Sequence, residues 1–245
     1  MSEAESIRQV ENIISKEKDN IAAVIIEPLI QGAKGMRICR KDFLNKLIKI
    51  FKDSGIIVIF DEVMTGFGRT GKMFALDHIN EKPDIICLAK SLTGGYVPLA
   101  ATIFNEDIHK EFVDSNFKKT FLHGHTFTAN PVGCSAALAS LNLFAKDRTF
   151  KNIKIIEDTH KKCLGTLSKS SKIKKIRILG SIAAFDLDDH RFKYGSKPVE
   201  DLKKKFLNRG LLLRPIGKTI YLMPPFCIKK KVLEDCYKII EEVIN

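Results

Sequence analysis

The spacing of apolar residues predicts alternating helices and strands in the first half of the chain. Between residues 2 and 18, apolar side chains recur at the intervals of an amphipathic helix, at Ile7, Val10, Ile13 and Ile14. A second such helix is predicted over 41–53. Between and after the helices lie continuous apolar runs typical of buried parallel strands, at 21–26, 56–60, 85–88 and 99–104. This alternation indicates an α/β protein with a mainly parallel sheet.

The pattern changes near residue 146. Before it, Asn130-Pro131 predicts the capped start of a small-residue helix over 131–145. After it, we expect a second, α+β region with helices from about 147, over 198–209 and from about 229, and with strands at 176–179, 182–187, 211–214 and 219–223. We therefore divide the chain into 1–146 and 147–245, although no linker composition marks the boundary.

The charge is strongly positive but dispersed. Lysine and arginine number 41 against 29 acidic residues, which gives a net charge of +12. The excess is spread as pairs and triplets over predicted helix faces, such as 203–205 and 229–231. A nucleic-acid groove needs clustered cations with stacking rings between them, so a solvated surface is the favoured interpretation. A basic nucleic-acid-binding module is the disfavoured alternative, and it would show strong salt-dependent binding.

The cysteines and the N-terminus exclude other classes. The six cysteines are widely separated and form no zinc-binding spacing, so we expect no metal and interpret them as reduced, buried thiols of a cytoplasmic protein. The first 20 residues are polar and lack the apolar core of a signal peptide. No apolar run reaches the length that spans a bilayer, which disfavours membrane proteins.

Two residues after predicted strands are candidates for chemistry. Asp61, followed by Glu62, ends the strand at 56–60, at the edge where open α/β sheets bind ligands. Lys90 follows the next strand and precedes Gly94-Gly95, so its amine could lie in a cleft and lose its charge by desolvation, as an imine-forming lysine requires. The structural alternatives are a helix cap for the acid and a solvated lysine at a strand end.

Three further motifs carry weaker signals. Residues 66–71 match G-x-G-x-x-G, but five residues separate them from the strand, which disfavours a dinucleotide site. The turn 123–126 could present a hydroxyl and backbone N–H groups to an anion. Arg214 follows a predicted buried strand and suits either a substrate carboxylate or an internal salt bridge.

Four segments resemble, in order and spacing, the class III pyridoxal-phosphate aminotransferases. They are IIEPLIQGAKGM (25–36), IFDEVMTGFGRTGKMFA (59–75), PDIICLAKSLTGGYVPLAAT (83–102) and FLHGHTFTANPVGCSAALASL (121–141). The resemblance covers most of the chain. It implies a fold-type I transferase, with the C-terminal part of a large cofactor-binding domain in 1–146 and a C-terminal small domain in 147–245.

The resemblance also implies roles for matching residues. Lys90 would bond the aldehyde of pyridoxal 5'-phosphate as a Schiff base and then move a proton, and Asp61 would pair with the pyridinium nitrogen. Thr126, with the Gly124 backbone, would bind the cofactor phosphate across the interface of a homodimer. Gly124 would also lie at the substrate, with Arg214 and Tyr221. Arg214 would take a substrate carboxylate, and Tyr221 is as compatible with a core position.

The segment RPIGKTIYLMPPFCI (214–228) resembles the branch of this family that acts in biotin synthesis. That likeness implies S-adenosylmethionine as amino donor and 8-amino-7-oxononanoate as acceptor, with 7,8-diaminononanoate as product. The alternatives are a class III enzyme that uses ornithine, acetylornithine or another ω-amine, and a non-catalytic remnant.

The sequence departs from the family at its start. Family members begin with a long N-terminal region that includes a serine-containing phosphate turn and an aromatic residue that stacks on the cofactor ring, whereas this chain begins after that region. We therefore expect an exposed sheet edge, weak cofactor binding by the chain alone, and a possible need for a separate N-terminal half.

Overall fold

The protein is described by a computed structural model over residues 2–146 and 148–244. Its helices are α1 (Glu3–Glu17), α2 (Lys41–Asp53), α3 (Glu106–Phe112), α4 (Pro131–Lys146), α5 (Thr149–Leu167), α6 (Lys197–Asn208) and α7 (Lys230–Ile244). Its strands are β1 (Ala23–Ile26), β2 (Ile30–Gln31), β3 (Arg37–Ile38), β4 (Ile57–Asp61), β5 (Ile85–Leu88), β6 (Ala101–Phe104), β7 (Ile173–Leu179), β8 (Ile182–Leu187) and β9 (Thr219–Leu222). Short 3₁₀ helices include Lys90–Thr93.

A four-stranded sheet organises the first half of the chain. Its strand order is β1-β4-β5-β6. β4 runs parallel to both of its neighbours, β1 and β5, and β6 is antiparallel to β5. The prediction of an α/β fold with a mainly parallel sheet is therefore confirmed.

The packing of α2 against β4 follows from the sequence pattern. Leu44, Ile48 and Phe51 recur at helical spacing and are buried, whereas the lysines between them are exposed. α2 contacts β4, where Val58 and Phe60 are fully buried. Burying side chains of this size contributes about 1.5–3 kcal/mol each, so this contact fixes β4 and the residues at its end.

One strand differs from its sequence interpretation. The apolar run at 21–26 predicts a strand covered on both faces, but Ile25 in β1 is 63% exposed. β1 is an edge strand of this sheet, where β4 is its partner. The prediction of two-sided burial is wrong for the described residues because an apolar run indicates strand formation without showing what covers each face.

A three-stranded antiparallel sheet, β7-β8-β9, organises the second half. Every residue of β8 is buried. The core around it includes Phe185 from the strand, Ile156 and Phe206 from α5 and α6, and Tyr237 from α7. The predicted strand at 211–214 is wrong, since these residues pair with no strand and Leu212 is 66% exposed.

The chain separates into two compact units. The first unit contains the chain up to Leu29 together with Cys39–Phe67 and Phe74–Lys146. The second contains the chain after Lys146 and two earlier segments, Ile30–Ile38 and Gly68–Met73. The β2–β3 hairpin therefore belongs to the second unit.

The cysteines are all free, as the sequence predicts, but they are less buried than expected. Cys227 is exposed and the other five are half-buried. The sequence interpretation placed them in the core because cysteine is among the residue types most often buried. None of the helices described is at once long enough and apolar enough to span a membrane.

Candidate active site

Asp61 and Lys90 follow neighbouring parallel strands. Asp61 is the last residue of β4 and is in register with Cys87 of β5. The backbone N–H of Glu62 donates to the carbonyl of Cys87 at 3.0 Å, which continues the pairing one residue beyond β4. Lys90 lies three residues after Cys87 and begins the 3₁₀ helix Lys90–Thr93. The carboxylate and the amine are thus both attached at the carboxyl edge of the sheet.

The Asp61 carboxylate is half-buried and locally fixed. Its Oδ1 accepts the backbone N–H of Val63 at 3.0 Å. This bond between residues two positions apart is the pattern of an Asx turn, and it orients the carboxylate at the strand end. A carboxylate held in this way can bond a protonated ring nitrogen.

The backbone of Lys90 adopts a left-handed conformation with φ of 40°. Such a value is uncommon for a residue with a side chain and costs about 1–3 kcal/mol. The side chain is exposed. The structure therefore leaves this side chain exposed, whereas the sequence predicts a cleft around its amine.

Glu62 is a fully buried carboxylate beside Asp61. Oε2 accepts from the Thr65 hydroxyl at 2.9 Å and from the Ala75 N–H at 2.8 Å, and Oε1 accepts from the Leu76 N–H at 2.8 Å. Burial raises the pKa of Glu62, and these hydrogen bonds oppose the rise. Glu62 thereby fastens the 3₁₀ helix Ala75–His78 to the end of β4.

Sequence reasoning gave Glu62 no role of its own. Two backbone N–H groups and one hydroxyl donate to this buried carboxylate. The signal lay in the strand period: adjacent residues at a strand end point to opposite faces, so either Asp61 or Glu62 had to point inward.

Gly124 and Thr126 lie in an exposed segment before α4. The His125 N–H donates to the Thr128 hydroxyl at 2.9 Å, and the Thr128 N–H donates back to the His125 carbonyl at 2.9 Å. A turn at these residues agrees with the sequence interpretation. The Asn130 side chain accepts the Gly133 N–H at 2.7 Å, so the predicted cap of α4 is present.

α4 connects this segment to the one that begins at Lys90. The helix packs against the 3₁₀ helix Lys90–Thr93. The hydroxyl of Ser140, in α4, donates to the Ser91 carbonyl at 3.2 Å. The first unit thus links the strand-edge residues and the hydroxyl-bearing turn through one helix.

Arg214 and Tyr221 belong to the second unit. Arg214 is exposed and lies in the irregular segment before β9, directly after buried Leu213. Tyr221 is half-buried in β9, in register with Ala184 of β8. Their guanidinium and phenol groups could serve a substrate carboxylate and a pocket wall, respectively.

The donor set suits pyridoxal 5'-phosphate better than a metal ion. In the first unit, the Asp61 carboxylate suits the ring nitrogen and the Lys90 amine suits the aldehyde. The Thr126 hydroxyl, which lies in a turn, suits the phosphate. Over the ranges 2–146 and 148–244, no three histidine, cysteine or carboxylate side chains are grouped so that they could hold a metal ion.

Comparisons with known proteins identify the family of the chain. The family model described as aminotransferase class III matches residues 1–244. The adenosylmethionine-8-amino-7-oxononanoate aminotransferase of Synechococcus elongatus is 43% identical over 243 residues, which cover 99% of this chain and 56% of that protein. This chain spans about half the length of the curated relatives it matches.

Solved structures agree at the level of the fold. The crystal structure of the enzyme of the same name from Methanocaldococcus jannaschii superposes with a TM-score of 0.85 and 38% identity, over 94% of this chain and 56% of that one. An amine transaminase from an uncultivated Pseudomonas species, in its PLP-bound form, gives a TM-score of 0.90 and 32% identity, over 98% of this chain and 56% of that one.

Proposed function

The chain belongs to the class III aminotransferase family, and from that premise we propose that it takes part in transferring the amino group of S-adenosylmethionine to 8-amino-7-oxononanoate. The product would be 7,8-diaminononanoate, a precursor of biotin. The register of Asp61 with Cys87, which sets the acid and Lys90 at one sheet edge, is the observation that carries the proposal. The substrates are those in the names of its relatives from Synechococcus and Methanocaldococcus.

Four residues of the first unit would hold the cofactor: Asp61, Lys90, Gly124 and Thr126. Pyridoxal 5'-phosphate, when bound, supplies an electron-withdrawing ring that stabilises negative charge on the substrate carbon. The Asp61 carboxylate keeps a proton on the ring nitrogen. The hydroxyl of Thr126 and the backbone of Gly124 bind the phosphate across the interface of the proposed homodimer.

Lys90 is the proposed catalytic residue. Its Nζ would hold the cofactor at the aldehyde carbon until the amino group of the donor displaces it, and the freed amine would then take a proton from the Cα of the donor. The same amine returns that proton in the first half of the reaction and repeats the transfer in the opposite direction with the acceptor. The holoenzyme would keep the amino group between the two halves, so the first product is released before the acceptor binds and the reaction is ping-pong.

Substrate recognition is assigned to the second unit and the 121–129 segment. Arg214 binds the carboxylate of the donor or acceptor through its planar fork, and Tyr221 lines the pocket. Gly124 leaves room for substrate beside the cofactor. We assign 1–146 to the large cofactor-binding domain and 147–245 to the small domain of the family.

Exposed apolar side chains support a homodimer. Within the first unit they concentrate in the segment between α3 and α4 and in α4 itself, at Val113 (64%), Phe117 (73%), Leu122 (74%), Phe127 (72%), Val132 (68%) and Leu138 (63%). Exposed apolar side chains in such number are typical of a surface that contacts another protein. The proposed homodimer would bury it and bring the phosphate-binding Thr126 to the partner's cofactor.

The exposure of Lys90 supports a need for a further polypeptide segment that covers it. An amine that must lose its proton needs an enclosed, desolvated site. We propose that a polypeptide equivalent to the remaining length of the relatives encloses it, in the same protein or as a separate N-terminal half. The proposed compartment is the cytoplasm, and the six free cysteines support it.

An ω-amine aminotransferase is the alternative function. The likeness to the amine transaminase, with its TM-score of 0.90, supports it. The two functions differ in the amino donor, whereas Lys90 and Asp61 serve both.

Spectral titration with pyridoxal 5'-phosphate tests the proposal. The chain is titrated alone and after mixing with the N-terminal half of the Synechococcus relative. We expect a visible absorbance band and tight binding in the mixture, weak binding by the chain alone, and no band with Lys90→Ala. Lys72→Ala, on another exposed lysine, should keep the band. A band that survives Lys90→Ala would refute the assignment of Lys90.

The amino donor is then identified by mass spectrometry of the product. Each donor is supplied separately to the mixture with 8-amino-7-oxononanoate as acceptor. We expect 7,8-diaminononanoate with S-adenosylmethionine, whereas product formed only from ornithine or another ω-amine would establish the alternative.

A further inference from the structure

The second unit contains an open cavity of about 520 Å³. Three segments form its walls: the turn 33–35, the loop 189–194 and the turn 216–219. All three belong to the same compact unit. The cavity is distinct from the residues assigned to the cofactor above, since none of them lines it.

A buried ion pair fixes one wall. Nη2 of Arg177 lies 2.7 Å from Oδ1 of Asp186, and the two side chains are only 15% and 10% exposed. The same nitrogen donates to the Gly35 carbonyl at 2.7 Å, and Nε donates to the Met36 carbonyl at 3.0 Å. The guanidinium therefore ties the turn 33–35 to the sheet of the second unit.

Close backbone contact fixes the other two walls. A Cβ atom at Gly217 would lie 3.2 Å from the Phe192 carbonyl oxygen and 3.3 Å from the Tyr194 nitrogen. The Thr219 N–H donates to the Ile216 carbonyl at 3.0 Å, which closes the turn 216–219. The cavity is thus formed by backbone segments that are already held in place, so a ligand would bind without ordering them first.

The cavity carries uncompensated positive charge. Lys34, Lys193 and Lys218 line it, and within the described residues none of the three forms an ion pair with a carboxylate. The lining carboxylate, Asp189, is occupied by Arg191, whose Nε lies 3.1 and 3.0 Å from its two oxygens and whose Nη2 lies 2.7 Å from one of them. This contact lowers the pKa of Asp189 to about 2.

We propose that this cavity binds a small ligand that carries a diphosphate group. Lysine ammonium groups bind phosphate as point charges, and the guanidinium of Arg191 is engaged by Asp189. Three lysines match the charge of a diphosphate. The rings of Phe192 and the 85% exposed Tyr194 lie at the same cavity and could stack on a base.

Isothermal titration calorimetry of the full chain at low salt tests the proposal. The probes are inorganic pyrophosphate and ADP, with citrate as a polycarboxylate of similar charge. The test variant is Lys34→Gln/Lys193→Gln/Lys218→Gln. The control is Lys203→Gln/Lys204→Gln/Lys205→Gln, which removes the same charge from exposed positions of α6 in the same unit.

We expect at least about tenfold weaker binding of both phosphate probes to the test variant and little change in the control. Tighter binding of ADP than of pyrophosphate, lost in Tyr194→Ala, would identify a nucleoside diphosphate, and equal binding would identify free diphosphate. No binding, equal losses in both variants, or citrate binding as tight as pyrophosphate would overturn the proposal. These measurements need neither pyridoxal phosphate nor aminotransferase activity, so they stand apart from the proposed function.

Discussion

His160 accepts a hydrogen bond from the hydroxyl of Tyr237 inside the second unit, with 2.6 Å between Nδ1 and the phenolic oxygen. Nε2 of His160 lies 3.2 Å from the Ser181 carbonyl. Because a carbonyl only accepts, Nε2 carries the ring hydrogen and Nδ1 is the acceptor. The imidazole is fully buried, and its burial lowers the pKa to about 4.

This pair predicts a loss of stability in mild acid. The folded state keeps His160 neutral, whereas the unfolded state binds a proton at this ring below its pKa of about 6.5. The stabilisation that the buried neutral ring gives to the folded state is therefore complete above pH 6.5 and is lost as the pH falls towards 4. The loss amounts to about 3 kcal/mol at 1.36 kcal/mol per pH unit. Urea unfolding followed between pH 7 and pH 4 should show it as a difference between the wild type and His160→Gln, which does not titrate. His109→Gln, at an exposed position, should follow the wild type. The prediction would be refuted if the free energy of unfolding fell with pH equally steeply in the wild type and in His160→Gln.

Gly180 has no room for a side chain. An added Cβ atom would lie 2.3 Å from the Gly71 nitrogen and 2.6 Å from the Arg69 carbonyl oxygen, and the residue has φ of 55°. We expect Gly180→Ala to destabilise the second unit by about 2 kcal/mol or more, since backbone atoms must move and the conformation is strained. Gly165→Ala is the matched control, because Gly165 lies in α5 with nothing within 4 Å of an added Cβ. Thermal unfolding should show it raising stability by about 0.5–1 kcal/mol.

Sequence periodicity located the long and amphipathic elements best. The helix at 41–53 and the strand at 85–88 were predicted with the bounds observed for α2 and β5. The β2–β3 hairpin was not predicted, because strands of two residues in a glycine-rich segment carry no period. The strand predicted at 211–214 failed because three consecutive leucines indicate apolar character without indicating a pairing partner.

The sequence also predicted one part of the candidate site and missed another. The common edge of Asp61 and Lys90 could be predicted, because residues that end neighbouring parallel strands must lie at the same side of a sheet. The exposure of Lys90 could not, because it depends on which other segments cover the strand ends. The hydrogen bonds of Glu62 to Ala75 and Leu76 also escaped prediction, since a 3₁₀ helix 13 residues away carries no signal that it returns to the strand.

We expect the loss of Arg177 alone to destabilise the protein more than the loss of Arg177 and Asp186 together. Arg177→Met removes the charged partner of the buried Asp186 carboxylate and leaves it the hydrogen bond from the Thr219 hydroxyl at 2.9 Å, which should cost about 3–5 kcal/mol. Adding Asp186→Leu removes the unpaired charge and should recover part of that loss. Chemical denaturation of the two variants measures both effects. A double variant no more stable than Arg177→Met would show that the charge is not the source of the loss.

We expect a substitution at Asp61 to weaken cofactor binding without lowering the stability of the fold. Asp61→Asn keeps the Val63 N–H bond through its amide oxygen but removes the charge that would hold a proton on the ring nitrogen. We expect about tenfold to hundredfold weaker pyridoxal 5'-phosphate binding in the mixture with the relative's N-terminal half, with unfolding unchanged within about 1 kcal/mol. Asp107→Asn, whose side chain is 90% exposed, is the control for lost charge. Equal cofactor affinity in wild type and Asp61→Asn would exclude a bond to the ring nitrogen.

Glu62 predicts a local opening of the segment beside the candidate site. In Glu62→Gln one of the two acceptor oxygens becomes an NH₂ donor. This NH₂ group must then point either at the Thr65 hydroxyl and the Ala75 N–H or at the Leu76 N–H, each of which donates to the carboxylate in the wild type. Each buried donor left without an acceptor costs about 1–3 kcal/mol. Hydrogen–deuterium exchange should therefore speed up at Ala75 and Leu76 by about tenfold or more, while exchange in β8 of the second unit stays unchanged. Glu111→Gln, at an exposed position of α3, should leave both regions unaffected. Unchanged protection at residues 75 and 76 in Glu62→Gln would mean that packing, and not the carboxylate, holds this 3₁₀ helix against the end of β4.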